Sequence, residues 1–396
     1  MREKVSTQGQ AQKDSADQAR KVAIAAMQQL NGVFVQREQA IETIWLALLT
    51  GVNFLLVGDP GTAKTALVHA AYSHVSDARQ FGMLCGSFAT EDKVFGPVDI
   101  QGFKEGRWGR VTKKRLADCE LAFLDEMLKS NEGTLNGMLT ALNERTYEGE
   151  PIPLWTCGAA TNWPEVKARS ENVAALWDRM LLRCHVREVT GDKARLELLS
   201  AADRVAKYRP EHTVTMDQLR AAQAQIAEVQ VTEAVRSSLL DVEKRLNEQG
   251  IKNSSRRIAA LQTVLRAKAW LRGSETGEPL FTALDDFDVL DLGLWNDEAH
   301  IEPLRAIIST VDAKVVQECV QKLQSVNQQC SASGVPVGQI PRLIKIAAEA
   351  ANQAKADLQR HGARTEGRAR IAAEIKKLKA TYEKLKAQVE PHLADR

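Results

Sequence analysis

The 396-residue chain has few aromatic residues, few cysteines and almost no net charge. Its six cysteines lie far apart, with no C-x-x-C pair and no histidine at metal-ligand spacing, so neither a disulfide framework nor a zinc site is expected. A formal net charge of +2 argues against a general role in binding polyanions. No apolar run approaches the roughly 20 residues of a membrane span, and the polar N-terminus lacks the apolar core of a signal peptide. We therefore expect a cytoplasmic protein.

The residues that are present are typical of a soluble protein of two or three domains. Hydrophobic residues make up 44% and charged residues 26% of the chain. The first 18 residues are polar and rich in Gln, Lys and Ser, so we predict a flexible N-terminus over 1–18. Short apolar runs and helical patterns then predict an α/β domain with a central parallel sheet over 19–190. Helical periodicity predicts an all-α domain over 191–300 and a helical or coiled-coil C-terminal region over 301–396.

A glycine-bearing turn between an apolar run and a helical pattern marks the first candidate site. The run Phe54–Val57 is short enough for a buried strand, and Ala66 opens the helical pattern. Between them, one loop follows the G-x-x-x-x-G-K-[ST] template at all but one position: Gly58, Asp59, Pro60, Gly61, Thr62, Ala63, Lys64 and Thr65. Backbone N–H groups of such a loop converge on phosphate. Lys64 would reach the outer phosphates of a nucleotide, and the Thr65 hydroxyl would bind Mg²⁺.

Ala63 is the position that departs from the template, since it stands where the second glycine is expected. A methyl group is tolerable there only if the residue is already helical. The same residues could also form an ordinary Gly/Pro turn between a strand and a helix. The loop indicates nucleotide binding but does not establish it alone.

Two adjacent carboxylates follow a second apolar run. Leu121–Leu124 suits a buried parallel strand, and Asp125 and Glu126 stand at its C-terminal end, where ligands collect in open α/β sheets. In a phosphate-loop enzyme the first carboxylate holds Mg²⁺ and the second orients the attacking water. The acidic first turn of a helix is the alternative interpretation. Their position about 60 residues after the loop favours the nucleotide site.

Polar residues after the next apolar segments extend the candidate set. Pro153–Ala160 ends in Thr161-Asn162, which places Asn162 at the same end of the sheet, where it could bond the attacking water or the γ-phosphate. Its alternative role is that of a turn residue. Arg179 and Arg183 are both candidates for phosphate contact, although either could instead pair with a carboxylate.

A helix in the all-α region opens with an arginine pair. Ser254 or Ser255 can cap this helix, and Arg256 and Arg257 stand in its first turn. Because a cation there opposes the helix dipole, it invites an anionic partner such as a nucleotide phosphate. An exposed arginine bonded to a nearby acid is the alternative.

Two other segments could contact partners. Val98–Thr112 predicts a hairpin or a broken helix, with Lys104, Arg107, Trp108 and Arg110 at its tip. Such a loop could contact nucleic acid or a polypeptide, or could simply be a solvated turn. Near the C-terminus, apolar residues form a heptad seam that predicts a helical hairpin or a partner-binding coiled coil: Ile371, Ile375, Leu378, Tyr382, Leu385 and Val389.

Together these residues resemble the MoxR branch of the AAA+ ATPases, most closely its RavA-like members. The similarity covers residues 20–300 and rests on six stretches: Gly58–Thr65, Val94–Ile100, Phe123–Glu126, Leu139–Arg145, Ala160–Asn162 and Ala175–Met180. Loops of this family carry Ala-Lys-Thr or Ala-Lys-Ser, so Ala63 becomes part of the resemblance. The implied fold is an AAA+ phosphate-loop α/β domain, followed by an all-α lid and, here, a helical C-terminal extension.

The resemblance also implies a role for each candidate residue. Residues 58–65 would be the Walker A motif, Asp125 and Glu126 would end the Walker B motif, and Asn162 would be the sensor-1 residue. Arg179 would be the arginine finger, and Arg256 the sensor-2 residue, with Arg257 as the alternative. Segments 97–112 and 144–154 would be the helix-2 and presensor-1 inserts, which in this clade tend to face the central axis of a ring.

We therefore expect a Mg²⁺-dependent ATPase, a hexameric homo-oligomer that uses ATP to remodel, activate or assemble a partner protein. The resemblance makes an adaptor with a von Willebrand factor A domain the expected partner. The alternatives are a DNA-directed motor and a nucleotide-gated scaffold with a coiled-coil binding tail. Nucleic-acid binding is only weakly indicated, because acids interleave with the bases of the C-terminal segment.

Overall fold

The computed structural model describes residues 2–86, 89–163, 171–273, 282, 284–331, 339–361 and 365–393. Its centre is a five-stranded, fully parallel sheet with the strand order β2-β3-β6-β1-β7. The five strands are β1 Phe54–Val57, β2 Gln80–Leu84, β3 Leu121–Asp125, β6 Thr156–Thr161 and β7 Leu182–His185. A separate two-stranded hairpin pairs β4 Thr146–Tyr147 with β5 Glu150–Pro151. The predicted α/β class with a central parallel sheet is thus confirmed.

The central strands are apolar because helices cover both faces of the sheet. All four residues of β1 are buried, and so are all six of β6. The small residues of β6 make room for β1: a Cβ on Gly158 would lie only 2.3 Å from the ring of Phe54. The outer strand β2 alternates between buried and exposed residues, as expected for an edge.

Helices occupy most of the remaining chain. In the described part of the chain, the helices that accompany the sheet are α1 Arg2–Asn31, α2 Glu38–Thr50, α3 Lys64–Tyr72, α4 Glu91–Phe95, α5 Ile100–Lys104, α6 Glu132–Glu144 and α7 Glu171–Arg179. The described helices that follow it are α8 Asp192–Ala206, α9 Met216–Glu228, α10 Glu233–Glu248, α11 Ser255–Arg272, α12 Ile301–Ser331, α13 Ile340–His361 and α14 Thr365–Leu393. Short 3₁₀ turns cover Leu116–Asp118, Met127–Lys129, Leu284–Leu292 and Glu298–His300. Within the described ranges, no helix has the length and apolarity to cross a membrane.

The N-terminal segment differs from the prediction of a flexible stretch over 1–18. Helix α1 begins at Arg2, and its residues Ala16 and Ala19 are fully buried in the main core. Ala23, Ala26 and Leu30 continue the same buried stripe. Alanine has no side-chain entropy to lose and packs closely, but it adds little to a hydrophobic pattern, so the sequence did not reveal this contact surface.

The C-terminal helices enclose a core of their own. The seam residues Ile371, Ile375, Leu378 and Leu385 are buried against helices α12 and α13 of the same chain. The side chain of Val389 lies outside the described residues. The heptad seam therefore closes an intramolecular three-helix arrangement, and its described residues are not left for a partner.

Candidate nucleotide site

The predicted phosphate loop leaves β1 after Val57 and enters α3 at Lys64. The first glycine of the loop, Gly58, is required by packing, because a Cβ there would lie 2.2 Å from the carbonyl oxygen of Val186, just after β7. The second, Gly61, is required by its backbone conformation, because its φ is +86°. The loop therefore stands at the carboxyl end of a central strand, where parallel sheets collect their ligands.

Lys64 lies inside this loop. Its Nζ donates to the carbonyl oxygens of Gly58 and Asp59 at 2.8 and 2.9 Å and to Thr62 Oγ1 at 3.3 Å. Burial lowers the pKa of Lys64, while the nearby carboxylate of Asp125 partly opposes that shift. The ammonium group is thus held where backbone N–H groups would surround an anion.

Ala63 does not have the helical conformation that the sequence argument required. Its φ of +64° and ψ of +22° lie in the left-handed region, and it forms the N-cap of α3. The condition under which a methyl group is tolerated there without strain is therefore not met. An alanine in this region is strained by about 1–2 kcal/mol, and residue strain of this kind clusters at ligand-binding sites.

The two carboxylates predicted from the sequence meet the loop at the end of β3. Thr65 Oγ1 donates to Asp125 Oδ2 at 2.6 Å, and the backbone N–H of Glu126 donates to Asp125 Oδ1 at 3.0 Å. A hydroxyl and a carboxylate are the hard oxygen ligands that Mg²⁺ takes in phosphate sites. Thr65 and Asp125 therefore suit this metal by the chemistry of their donor atoms.

Asn162 lies at the end of β6, where Val57 pairs with Thr161 across the sheet. One cavity of about 370 Å³ is lined by the candidate residues of three strand ends: Gly58, Pro60, Gly61, Thr62, Ala63, Lys64, Thr65, Ala66, Asp125, Glu126, Thr161 and Asn162. The structure thus brings the loop residues together with Asp125, Glu126 and Asn162. Asp59 is the one residue of the loop 58–65 that does not line this cavity, and its carbonyl oxygen accepts a bond from Lys64.

A second cavity, of about 770 Å³, shares the wall formed by Pro60–Ala63. Its other lining residues are mainly apolar and come from the turn after α1, from the segment between β7 and α8 and from α8 itself, including Val33, Phe34, Val189 and Leu198. An apolar slot beside a phosphate loop suits the base of a nucleotide. The sequence analysis missed these residues; the only available signal was the apolar triplet Val33–Val35 in an otherwise polar turn.

Gln36 and Arg37 connect the loop to the start of the all-α region. Arg37 is buried, and its Nε donates to the carbonyl oxygen of Thr62 at 3.1 Å. The side-chain amide of Gln36 bonds both the N–H and the carbonyl oxygen of Thr190, at 2.9 and 3.0 Å. Burial lowers the pKa of Arg37. Movement of the loop backbone at Thr62 would therefore be transmitted through Arg37 and Gln36 to Thr190, in the segment before α8.

Arg179 does not reach the loop of its own chain. Its carbonyl oxygen accepts a bond of 3.5 Å from Asn53 Nδ2, at the amino end of β1, and its guanidinium donates to Ala175 O at 2.9 Å within α7. The strand separates Asn53 from Gly58 by about 15 Å along the extended chain. Arg179 thus lies at the amino ends of the strands, whereas the cavity lies at their carboxyl ends.

Arg183, the other phosphate candidate among these arginines, has a structural role. It is fully buried, and its guanidinium lies 4.3 Å from the ring centre of Trp177. Its nitrogens donate to the carbonyl oxygens of Met180, Trp295 and Trp177 and to Asn296 Oδ1. The side chain is inaccessible to a phosphate, so the interpretation of Arg183 as a phosphate contact is wrong.

The arginine pair of helix α11 separates into two environments. Arg257 is buried, and it donates to Asp178 Oδ1 at 3.0 Å and to the carbonyl oxygen of Trp177 at 3.2 Å. Arg256 is exposed. Ser254 also bonds Asp178, at 3.3 Å, so the start of α11 lies beside Arg179. The first turn of α11, which carries Arg256, thus packs on Trp177 and Asp178.

The segment 97–112 combines both predicted forms, since α5 is closed by one antiparallel bridge between Val98 and Arg110. The guanidinium of Arg110 forms ion pairs with the carboxylates of Asp92, Glu91 and Glu148, with N···O distances of 2.5, 3.4 and 3.4 Å. Large apolar side chains, in contrast, are exposed: Ile100 by 69%, Phe103 by 61%, Trp108 by 66% and Val111 by 50%. We call these four residues the apolar insert surface.

The chain is similar to a known protein family and to curated proteins. Residues 20–230 match the family model of the MoxR domain in the MoxR-vWA-beta-propeller ternary systems. Among curated proteins, the uncharacterized protein MJ0079 of Methanocaldococcus jannaschii is 30% identical over 303 residues, covering 75% of this chain and 76% of the relative. The uncharacterized protein MJ0812 of the same organism is 30% identical over 276 residues, covering 68% and 70%.

A solved structure supports the same fold. The crystal structure of a candidate ATPase from Cytophaga hutchinsonii matches with a TM-score of 0.57 and 18% sequence identity, and covers 77% of this chain and 97% of that one. At this identity the likeness concerns the fold alone.

Proposed function

The chain belongs to the MoxR family of AAA+ ATPases, and we propose that it is a Mg²⁺-dependent ATPase whose subunits form a ring that remodels a partner protein. The observation that carries the proposal is the single cavity in which Lys64, Thr65, Asp125, Glu126 and Asn162 meet. These residues come from the ends of two strands, β3 and β6, and from the loop that follows a third, β1. A phosphoryl-transfer site needs this combination of cation, metal ligands and water-positioning groups.

Each residue would act through charge or position, because phosphoryl transfer has a loose transition state that needs little covalent help. Lys64 would neutralise the outer phosphates. Thr65 and Asp125 would hold Mg²⁺, which when bound neutralises phosphate charge. Glu126 would accept a proton from the attacking water, and Asn162 would orient that water.

The position of the arginines supports the proposal of a ring. Arg179 and the start of α11 lie together at the amino end of β1, away from the cavity, so we propose that Arg179 and Arg256 serve the cavity of the neighbouring subunit. A hexamer and a RavA-like specialisation rest on the sequence resemblance and stay predictions.

The apolar insert surface favours a protein client over nucleic acid. A phosphate-tracking groove needs available cations, but Arg110 is occupied by three acids and Arg107 is paired with Glu105. Exposed aliphatic and aromatic side chains together are instead typical of protein contact surfaces. Because the matching family model describes MoxR-vWA systems, we propose a protein with a von Willebrand factor A domain as the partner.

The proposal is tested by measuring ATP hydrolysis in the wild type and in Glu126→Gln, alone, with DNA, and with a co-purified von Willebrand factor A protein. We expect Glu126→Gln to bind ATP but to lose turnover by about 10²-fold or more, because the general base is removed. Stimulation of the wild type by the protein and not by DNA supports the remodeller. Salt-sensitive stimulation by DNA would favour a motor, and binding without wild-type turnover would favour a scaffold.

A further inference from the structure

A lysine outside the cavity holds the residue proposed as the general base. Glu126 lines the cavity, and its Oε2 lies 2.9 Å from Lys129 Nζ. Lys64 lines the same cavity as Glu126. The carboxylate of Glu126 thus pairs with a second lysine, Lys129, whose role the ATPase mechanism leaves unassigned.

Local backbone geometry places Lys129 over Glu126. Glu126 follows β3 with a left-handed conformation, at a φ of +52°, and is the N-cap of the 3₁₀ turn Met127–Lys129. The N–H of Lys129 donates to the carbonyl oxygen of Glu126 at 3.0 Å. This i→i+3 bond brings Lys129 back toward Glu126, where its ammonium group reaches the carboxylate.

Buried residues hold the 3₁₀ turn against the core. Met127 is fully buried in the main core, and Ser130 is 8% exposed. The N–H of Ser130 donates to Met127 O at 3.2 Å. Since the residues on either side are fixed, the backbone of Lys129 has a defined position relative to the cavity, and its side chain is half-exposed at the rim.

We propose that Lys129 is a positioning residue for Glu126, an inference that rests on the proposed ATPase function. The ion pair occupies Oε2 and leaves the other oxygen to accept a proton from water. Lys129 acts through Glu126 and does not touch the nucleotide.

The test compares Lys129→Met, which keeps the chain length and removes the charge, with Lys129→Arg, which keeps the charge. We expect Lys129→Met to lower kcat about 10-fold, because a displaced base loses most of its advantage. KM and the affinity for a non-hydrolysable ATP analogue should change by less than about twofold, because the lysine does not contact nucleotide. Lys129→Arg should recover most of the rate.

Lys377→Met is the matched control. Lys377 pairs with Glu374 at 2.8 Å with the same i,i+3 spacing, but in α14 and outside the cavity. Its kcat should equal that of the wild type. A Lys129→Met rate equal to the wild type would overturn the proposal. A Lys129→Met rate above that of the wild type would also overturn it, because Lys129 would then hold Glu126 in a less reactive position.

Glu126→Gln separates failure of this inference from failure of the proposed function. If Glu126→Gln hydrolyses ATP like the wild type, the general-base assignment is lost, and the role of Lys129 with it. If Glu126→Gln is inactive while Lys129→Met is fully active, the ATPase mechanism stands and only the positioning role is wrong.

Discussion

At the scale of single residues, the cavity contains two strained side-chain-bearing positions. Ala63 and Glu126 have φ values of +64° and +52°, in a region that favours glycine. The left-handed backbone at Ala63 allows the loop to turn before α3 begins. The left-handed backbone at Glu126 ends the extended path of β3 and leads into the 3₁₀ turn. Both positions trade stability for the placement of a functional group.

Ala63→Gly should therefore stabilise the nucleotide-free protein. We expect the free energy of unfolding to rise by up to about 1 kcal/mol, the relief of left-handed strain less the added entropy of glycine in the unfolded chain. Gly61→Ala provides a control of opposite sign: its φ is +86° and the space around it is open, so it should lose about 1 kcal/mol from strain alone. Denaturant unfolding of both variants measures the difference, and equal signs would contradict the argument.

At the scale of elements, the end of α3 is tied to the segment between α8 and α9 by His74. Its Nδ1 bonds the carbonyl oxygen of His212, so this nitrogen donates, and Nε2 then accepts from the Tyr208 hydroxyl. Val75 and Val214 form a parallel bridge beside it. Burial lowers the pKa of His74, which keeps the ring neutral.

This contact predicts a loss of stability in mild acid. Because the folded pKa of His74 lies below the unfolded value of about 6.5, the folded state binds fewer protons. Stability is full above that value and falls as the pH drops toward the folded pKa; His185, whose pKa burial also lowers, adds the same sign.

We expect His74→Asn to be less stable than the wild type at pH 7.5 and to lose less additional stability between pH 7.5 and 5.5. His69→Asn, at an exposed histidine of α3, is the control. Thermal unfolding at the two pH values measures both effects. An unchanged pH dependence in His74→Asn would contradict the role assigned to this histidine.

At the scale of the whole molecule, the proposed catalytic residues are divided between opposite ends of the strands of one sheet. The loop, the carboxylates and Asn162 lie at the carboxyl ends of the strands, while Arg179 lies at the amino end of β1. If Arg179 is the arginine finger, as we propose, a neighbour placed head to tail has to supply it, which is the type of contact that closes into rings.

Complementation tests this division. Arg179→Ala alone should lose about 10³-fold or more in turnover, as expected for an arginine finger, and Glu126→Gln alone should be nearly inactive. An equimolar mixture should regain about one quarter of the wild-type rate, because that share of interfaces joins an intact Glu126 to an intact Arg179. Arg220→Ala, at an exposed arginine of α9, should not change the rate. Near-normal turnover in Arg179→Ala would remove this residue from the site.

Much of the site was predictable because its residues are consecutive or end a strand. The template of residues 58–65, the apolar run before Asp125 and the small run before Asn162 each carry a local signal. Parallel strands then bring their carboxyl ends to one edge without further information. The base-side cavity was not predictable in this way, because its walls come from the turn after α1 and from α8, about 160 residues apart.

Local chemistry in consecutive residues was thus enough to predict the α/β class, the phosphate loop, both carboxylates and the family. Packing between distant segments settled the rest. The burial of Arg183 under Trp177 and the binding of Arg257 to Asp178 removed two arginines that the sequence could not distinguish from Arg179 and Arg256. The left-handed Ala63 and the internal burial of the heptad seam also depended on contacts far along the chain. The physical reason is that a side chain's type sets what it can bind, while its burial and its neighbours decide whether it is available to do so.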